Sequence, residues 1–211
     1  MTLPVLYAIV DYQTAVEKGW EVCDLAREYL AGGAKLVQLR APNVASRDYL
    51  GWCDRVVQDA GDYDAQVIVN DRADIAVMAG AAGVHLGQFD VEPAAIRRRL
   101  CDRLVVGMSV HTHQQLKESV SARLDYVAVG PIYDTSTKNT GYEPVGTKLV
   151  TRASEMSPSR PVVAIGGINL ERAMEVRRAG ATSVAVISDL LEGNKPARRV
   201  SDYVKALEEF S

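Results

Sequence analysis

The chain contains few cysteines, and their spacing excludes one common architecture. Its 211 residues include three cysteines, Cys23, Cys53 and Cys101. They lie far apart and form no CxxC pair, so we expect reduced thiols rather than a disulfide framework. Reduced thiols make the cytoplasm the expected location.

The chain also lacks a strong charge of either sign and any long hydrophobic run. Its formal net charge is −3, so it has no general field that would attract nucleic acid or an anionic membrane. Any phosphate must then be held by local groups or by a metal. The opening "MTLPVLYAIVDYQ" has no basic start, and its apolar stretch stops at Asp11. We therefore expect neither a signal peptide nor a membrane-spanning segment there.

Short apolar runs recur along the chain, each followed by a helical-looking segment. Hydrophobic residues make up 47% of the sequence, and near-continuous apolar runs are typical of parallel strands that are covered on both faces. The runs cover residues 5–11, 35–40, 66–71, 83–87, 104–110, 126–130, 161–167 and 183–189. Eight such units predict an α/β fold, a (β/α)8 TIM barrel forming a single domain over residues 1–211, rather than an open doubly wound sheet.

Polar residues follow the third and fourth predicted strands, where a barrel carries its function. Asn70 and Asp71 follow the third strand, and Gln88 and Asp90 follow the fourth. Two carboxylates on neighbouring strand ends, without cysteine or clustered histidine, suit Mg²⁺ shared with a substrate phosphate. The alternative is that each aspartate caps the helix that follows it.

The second and fifth strands each end in two polar residues spaced by two, which places both on one face. Gln38 can recognise the edge of a heteroaromatic ring, and Arg40 can bind phosphate oxygens or pair with a neighbouring aspartate. Ser109 can donate to a phosphate. His111 is equally consistent with a catalyst and with a partner on the helix side.

The longest irregular stretch, "GPIYDTSTKNTGYEPVG", follows the sixth strand. Long loops in compact domains are usually functional or mobile. Its "TSTK" segment offers hydroxyls, backbone N–H groups and the cation of Lys138, a composition suited to an anion and a closing lid. A simply solvated loop is the alternative.

The seventh and eighth strands end in "AIGGIN" and "AVISD". Gly166 and Gly167 allow a ligand to approach the backbone, and Asn169 can start a helix whose amides face that ligand. Because the loops after strands seven and eight often hold phosphate in barrels, Gly167 with Ile187 and Ser188 is predicted to bind a phosphomonoester. Glycines needed only for tight packing are the alternative.

Together these segments resemble the thiamine phosphate synthase family, in order and over nearly the whole chain. The matching segments are "VQLR", "VNDRADIAVMAGAAGVHLGQFD", "VGMSVH", "VAVGPIYDTSTK", "VAIGGIN" and "VAVIS". The resemblance implies a barrel enzyme that couples hydroxymethylpyrimidine diphosphate to a thiazole phosphate, giving thiamine phosphate and diphosphate. It implies that the pyrimidine diphosphate is bound by Gln38, Arg40, Asn70, Ser109 and Lys138, of which Arg40, Ser109 and Lys138 are catalytic. It also implies that Mg²⁺ is bound by Asp71 and Asp90. The residues that it implies for the thiazole phosphate are Thr135, Ser136, Thr137, Gly167, Ile187 and Ser188.

The sequence departs from the family at Pro42, where the pattern usually has a basic residue two positions beyond Arg40. This departure predicts one diphosphate contact fewer. A thiazole tautomerase of the same scaffold is one alternative function, but that branch typically loses the "NDR" and "TxTK" patterns that are intact here. A non-catalytic phosphate-binding barrel is the other. The sequence leaves open whether the chain forms a homo-oligomer.

Overall fold

The barrel is closed, and its strands follow one another in chain order. The computed structural model describes residues 3–135, 137 and 141–210. All neighbouring strands are parallel, and the last pairs with the first. The strands are β1 (Leu6–Asp11), β2 (Leu36–Arg40), β3 (Gln66–Asn70), β4 (Gly83–Leu86), β5 (Val105–Val110), β6 (Tyr126–Val129), β7 (Val162–Ile165) and β8 (Ser183–Val186). This arrangement confirms the predicted (β/α)8 fold and all eight predicted strands.

Helices follow the strands and cover the outside of the barrel. They are α1 (Tyr12–Glu17), α2 (Val22–Ala31), α3 (Ser46–Gly61), α4 (Ala73–Met78), α5 (Pro93–Arg99), α6 (His113–Ser121), α7 (Gly146–Met156), α8 (Leu170–Arg178) and α9 (Pro196–Glu208), with a 3-10 segment (Ser188–Asn194) after β8. Within the described ranges, no helix combines the length and the apolar character needed to cross a membrane. The three cysteines are free thiols.

Alternate residues of each strand face two different hydrophobic layers. On β1, Ala8 and Val10 pack in the layer between strands and helices, whereas Tyr7 and Ile9 pack in the barrel interior. Because side chains alternate along a strand, the near-continuous apolar runs supply both layers. The interior layer is the one that leads to the barrel mouth.

The register of the strands gathers polar side chains at the carboxyl end of the barrel. Asp11 lies opposite Arg40, and Asn70 lies opposite His85. Ser109 of β5 lies opposite Ala128, and its Oγ lies 2.9 Å from Nε2 of His85. The polar strand ends picked out in the sequence therefore share one rim.

Candidate active site

Two cavities open at this rim and share one wall. The polar cavity is lined by the polar ends of β2–β5 and by interior residues beneath them. The loop cavity lies under the segment after β6 and against the ends of β7 and β8. Four residues line both cavities: Ser109, Ile165, Ala185 and Ile187. Two molecules bound in these cavities would therefore be neighbours.

The polar cavity contains four of the residues predicted to bind the pyrimidine diphosphate. Gln38, Arg40, Asn70 and Ser109 all line it. The backbone of β3 is fixed at this point by Tyr49, whose hydroxyl accepts a hydrogen bond from the N–H of Asn70 at 3.1 Å. The cavity thus joins amide groups, a guanidinium and a hydroxyl, which is a donor set suited to a polar ring with an anionic substituent.

The guanidinium of Arg40 is held by a buried carboxylate. Its Nη1 pairs with Oδ2 of Asp11, and the two side chains are 16% and 1% exposed. Asp11 also accepts hydrogen bonds from the N–H and hydroxyl of Thr14 at 3.0 and 2.8 Å, which caps α1. Nε of Arg40 is buried without a hydrogen-bond partner among the described residues. The ion pair considered in the sequence is present, and it leaves Arg40 donor capacity beside the cavity.

A chain of five polar side chains crosses the barrel interior beneath the polar cavity. Nε2 of Gln38 lies 2.7 Å from the Tyr7 hydroxyl, which lies 2.9 Å from the Tyr126 hydroxyl. Nδ1 of His85 lies 3.0 Å from that second hydroxyl, and its Nε2 lies 2.9 Å from Oγ of Ser109. Burial raises the pKa of both tyrosines, so their hydroxyls stay protonated. Gln38 and Ser109 are therefore linked through the protein.

Asp71 and Asp90 do not occupy the N-cap positions of the helices that follow them. Helix α4 has Arg72 at its N-cap position and α5 has Glu92, and neither forms a side-chain cap. Asp71 is exposed and has a left-handed backbone, with φ of 63°. Oδ2 of Asp90 accepts from the N–H of Gly87 at 2.6 Å, which closes the loop after β4. The alternative that each aspartate is the N-cap residue of the next helix is therefore wrong in position.

The two aspartates suit a magnesium ion that is shared with substrate. Within the described ranges, no three or more His, Cys, Asp or Glu side chains form a metal-binding group. Mg²⁺ is commonly bound by one or two carboxylates and completed by waters and substrate phosphates. Two exposed carboxylates after neighbouring strands fit that pattern, and do not fit an all-protein cage. The roles of Asp71 and Asp90 as ligands stay predictions.

The loop cavity is lined by hydroxyl groups, by the backbone of glycines and by apolar side chains. Thr135, Thr137, Gly167, Ile187 and Ser188 line it. The hydroxyl of Thr137 donates to Oγ of Ser188 at 3.3 Å, which links the segment after β6 to the end of β8. The other two predicted members of this segment, Ser136 and Lys138, lie outside the described residues.

Gly167 occupies a position that no other residue fits without a shift. Its φ is 64°, and a Cβ there would lie 2.4 Å from the carbonyl oxygen of Asp134. Asn169 caps α8 by accepting from the N–H of Arg172 at 2.9 Å, as its position in the sequence predicts. The glycine therefore serves tight packing against the loop and also leaves backbone exposed to the cavity.

Two further polar residues near the rim are bonded to the backbone. Nε2 of Gln88 donates to the carbonyl of Ser109 at 2.5 Å, which ties the β4 loop to β5. Nδ1 of His111 lies 2.5 Å from the carbonyl of Gly130, and its ring stacks on Tyr142. His111 also lines the loop cavity. Both contacts indicate that these residues position the loops of the rim.

Sequence reasoning missed Tyr7, Asp11, His85 and Tyr126. Tyr7, His85 and Tyr126 lie inside apolar strand segments, where a side chain is easily taken for part of the core, and Asp11 ends such a segment. The available signal was the strand period: Tyr7 shares a face with Ile9, which pairs with Gln38, and His85 pairs with Asn70. A polar side chain on the interior face needs a hydrogen-bond partner, and that requirement pointed to a network.

A family model, two curated relatives and one solved structure all carry the name of a thiamine phosphate enzyme. A family model described as "Thiamine monophosphate synthase" matches residues 6–190. The thiamine-phosphate synthase of Koribacter versatilis is 38% identical over 98% of this chain and 97% of its own. That of Lysinibacillus sphaericus is 38% identical over 82% of each chain. The solved structure of thiamine phosphate pyrophosphorylase from Pyrococcus furiosus has a TM-score of 0.87 and 30% identity, and covers 97% of this chain and 96% of its own.

Proposed function

The chain belongs to the thiamine monophosphate synthase family, a family of transferases, and we propose that its two cavities divide the two substrates of that activity between them. The reaction couples 4-amino-2-methyl-5-(diphosphooxymethyl)pyrimidine with 4-methyl-5-(2-phosphooxyethyl)thiazole and releases diphosphate. The observation that carries the proposal is the wall that the cavities share, formed by Ser109, Ile165, Ala185 and Ile187. Adjacent cavities hold two reactants close enough for a bond to form between them.

The polar cavity is proposed to bind the pyrimidine diphosphate. Amides of Gln38 and Asn70 suit the donors and acceptors of an aminopyrimidine edge. Arg40 and Ser109 are proposed to bind the diphosphate, because a guanidinium and a hydroxyl can follow the growth of negative charge on the leaving oxygen. Arg40 is already oriented by Asp11 before substrate arrives. This preorganisation supports its catalytic role.

Asp71 and Asp90 are proposed to hold Mg²⁺ beside the diphosphate. When bound there, the ion would neutralise charge on the leaving group. The aspartates' own contribution is to fix two hard oxygen ligands at the ends of β3 and β4. The exposed position of both side chains supports this role, because the remaining ligands would come from solvent and substrate.

The loop cavity is proposed to bind the thiazole phosphate. Hydroxyls of Thr135, Thr137 and Ser188 supply donors, and Gly167 leaves backbone open beside them. Ile187 gives the apolar surface that a thiazole ring needs. Ser136 and Lys138, which lie outside the described residues, keep their predicted roles, with Lys138 acting on the diphosphate.

The proposed chemistry needs no covalent intermediate with the protein. The bond from the methylene carbon to the diphosphate oxygen breaks first, and the electron pair leaves with diphosphate. The electron-rich aminopyrimidine stabilises the resulting methylene cation, and the thiazole nitrogen donates its lone pair to form the new C–N bond. The protein's task is to bind both rings, exclude water from the cation and favour charge on the departing diphosphate.

A coupling assay tests the proposal against both alternatives. Purified protein is given both substrates and Mg²⁺, and thiamine phosphate is measured by mass spectrometry, with omission of the thiazole phosphate as control. Product formation supports the proposal. Conversion of a thiazole carboxylate phosphate isomer to its aromatic form without coupling would indicate a tautomerase. Ligand binding without either reaction would indicate a non-catalytic barrel. The synthase relatives favour the first outcome.

Two broader expectations stay predictions. Cytoplasmic location is supported by three free thiols, one of which, Cys53, is buried with its pKa raised to about 12. The small-molecule substrates named above are the proposed partners, and the oligomeric state stays open.

A further inference from the structure

The five hydrogen-bonded side chains beneath the polar cavity form a hydrogen-bond chain, and a glycine makes room for it in the barrel interior. Tyr7 and Tyr126 are almost fully buried, at 1% and 0% exposure. A Cβ at Gly107 would lie 1.9 Å from the ring of Tyr126, so only glycine admits that ring into the barrel interior. Buried hydroxyls destabilise a fold unless each is hydrogen-bonded. The hydrogens of this chain should therefore be arranged so that every donor has an acceptor.

The donor-to-acceptor direction of the hydrogen-bond chain follows from its first group, the amide of Gln38. Nε2 of Gln38 can only donate, so the Tyr7 oxygen accepts and the Tyr7 hydrogen goes to Tyr126. Over the described part of the chain, the Tyr126 hydroxyl has hydrogen bonds only with Tyr7 and with Nδ1 of His85. The Tyr126 hydrogen therefore goes to Nδ1, which puts the ring proton of His85 on Nε2.

At the other end of the hydrogen-bond chain, the hydroxyl hydrogen of Ser109 is then not used within the chain. Nε2–H of His85 donates to Oγ of Ser109 across 2.9 Å. Ser109 accepts this bond, so its own hydroxyl hydrogen is left for an acceptor in the cavities that it lines. If the side-chain amide of Gln38 were rotated so that Oε1 and Nε2 exchanged places, Oε1 would face Tyr7. Donor and acceptor would then be exchanged in every bond of the hydrogen-bond chain, and Ser109 would donate to His85 instead.

We propose that the amide orientation of Gln38 sets the direction of this chain and thereby makes Ser109 a hydrogen-bond donor to the diphosphate, with Tyr7, Tyr126 and His85 as positioning residues. The inference rests on the proposed function of the polar cavity. An amino group on the bound ring donates to Oε1 of Gln38, which keeps Nε2 on Tyr7. Recognition of the ring at one end of the chain is thus coupled to stabilisation of the leaving group at the other.

The tautomer of His85 tests the direction without any enzymatic reaction. The chain has three histidines, so long-range ¹H–¹⁵N NMR of the whole protein gives three ring patterns, and a His85→Asn variant identifies the one that belongs to His85. We expect the Nε2–H tautomer. An Nδ1–H tautomer or a doubly protonated ring at neutral pH would overturn the proposal. This result stands whether or not the protein couples the two substrates.

A double-mutant cycle tests the consequence for the reaction. Ser109→Ala and Tyr126→Phe should each lower kcat about tenfold, as expected for loss of a hydrogen bond to a charged group. The double variant should be no slower than Ser109→Ala alone, because Tyr126 acts through Ser109. Tyr7→Phe should have a smaller effect, since Tyr126 can still donate to His85. If the losses of kcat in the two single variants multiplied in the double variant, the proposal would be overturned.

The matched control is a buried tyrosine outside the barrel interior. The hydroxyl of Tyr203 on α9 donates to Asp189 at 2.5 Å, so Tyr203→Phe removes a comparable hydrogen bond with the ring retained. Its kcat should stay at the wild-type value. A Tyr203→Phe loss as large as that of Tyr126→Phe would mean that general loosening, not the chain, lowers the rate, and would overturn the proposal.

Discussion

The two cavities at the barrel mouth are built by different means. The polar cavity takes its groups from the ends of strands, and these groups are already bonded: Arg40 to Asp11, Gln38 to Tyr7, and Ser109 to His85. The loop cavity takes its groups from the segment after β6 and from backbone beside Gly167, where the bond between Thr137 and Ser188 is long, at 3.3 Å.

This difference matches the demands of the two proposed substrates. Charge changes on the diphosphate as it leaves, so its binding groups favour reaction most when they are fixed in advance. The phosphate of the thiazole keeps its charge throughout, so adaptable hydroxyls and open backbone suffice to bind it. We therefore expect changes in the polar cavity to affect kcat, and changes in the loop cavity to affect mainly the KM of the thiazole phosphate.

The largest effect is expected at the proposed metal ligands. Asp71→Ala and Asp90→Ala should each lower the coupling rate by about 10³-fold, the upper range for removal of one group that stabilises transition-state charge, and should shift the Mg²⁺ concentration needed for activity. Steady-state assays across a Mg²⁺ titration measure both. Asp74→Ala is the control, because Asp74 is exposed and pairs with Arg72. Full activity with an unchanged Mg²⁺ response would exclude both residues as ligands.

Arg40→Ala should follow, with a loss of coupling rate of about 10²-fold. It should also lower the free energy of unfolding by about 3–5 kcal/mol, because Asp11 would keep a buried, unpaired charge. Adding Asp11→Asn should restore stability, measured by denaturant unfolding, but not activity. Arg47→Ala, an exposed change at the start of α3, is the control. Recovery of activity in the double variant would show that Arg40 is purely structural.

Gly167→Ala tests the loop cavity. The added Cβ would meet the carbonyl of Asp134 and displace the loop, so the KM for the thiazole phosphate should rise about tenfold, equivalent to about 1.4 kcal/mol of binding, with the KM for the pyrimidine unchanged. Gly19→Ala is a matched control, since Gly19 has φ of 77° but open space around it. Equal changes in both KM values would contradict the division of the substrates.

The smallest effect is expected from Pro42→Lys in the exposed loop after β2. A cation there should lower the KM for the pyrimidine diphosphate about two- to fivefold, as expected for an exposed charge pair, and the gain should shrink as salt rises. Pro158→Lys, in the exposed loop before β7, is the control. A correctly folded variant with an unchanged KM would place residue 42 away from the diphosphate.

The barrel could be predicted because its evidence is local. Each strand is a short apolar run, and the run "QVIVND" needs no distant partner to be recognised as one. The same period placed Gln38 and Arg40 on one face, and the structure places both in one cavity. Glycine pairs and loop composition were equally visible, so Gly167 and Thr137 were found together at the second cavity.

The sequence by itself determined the strand order, the end of the barrel that carries the site, and the residue types available there. Only the tertiary structure decided which of them are partners. Asp11 and Arg40 meet because β1 and β2 pair in one register, and Tyr7 meets Tyr126 across 119 residues. Such contacts depend on closure of the barrel, which brings distant strands within hydrogen-bond distance. A local sequence pattern carries no information about distances between remote strands. The hydrogen bonds of the barrel interior could therefore be known only from the folded structure.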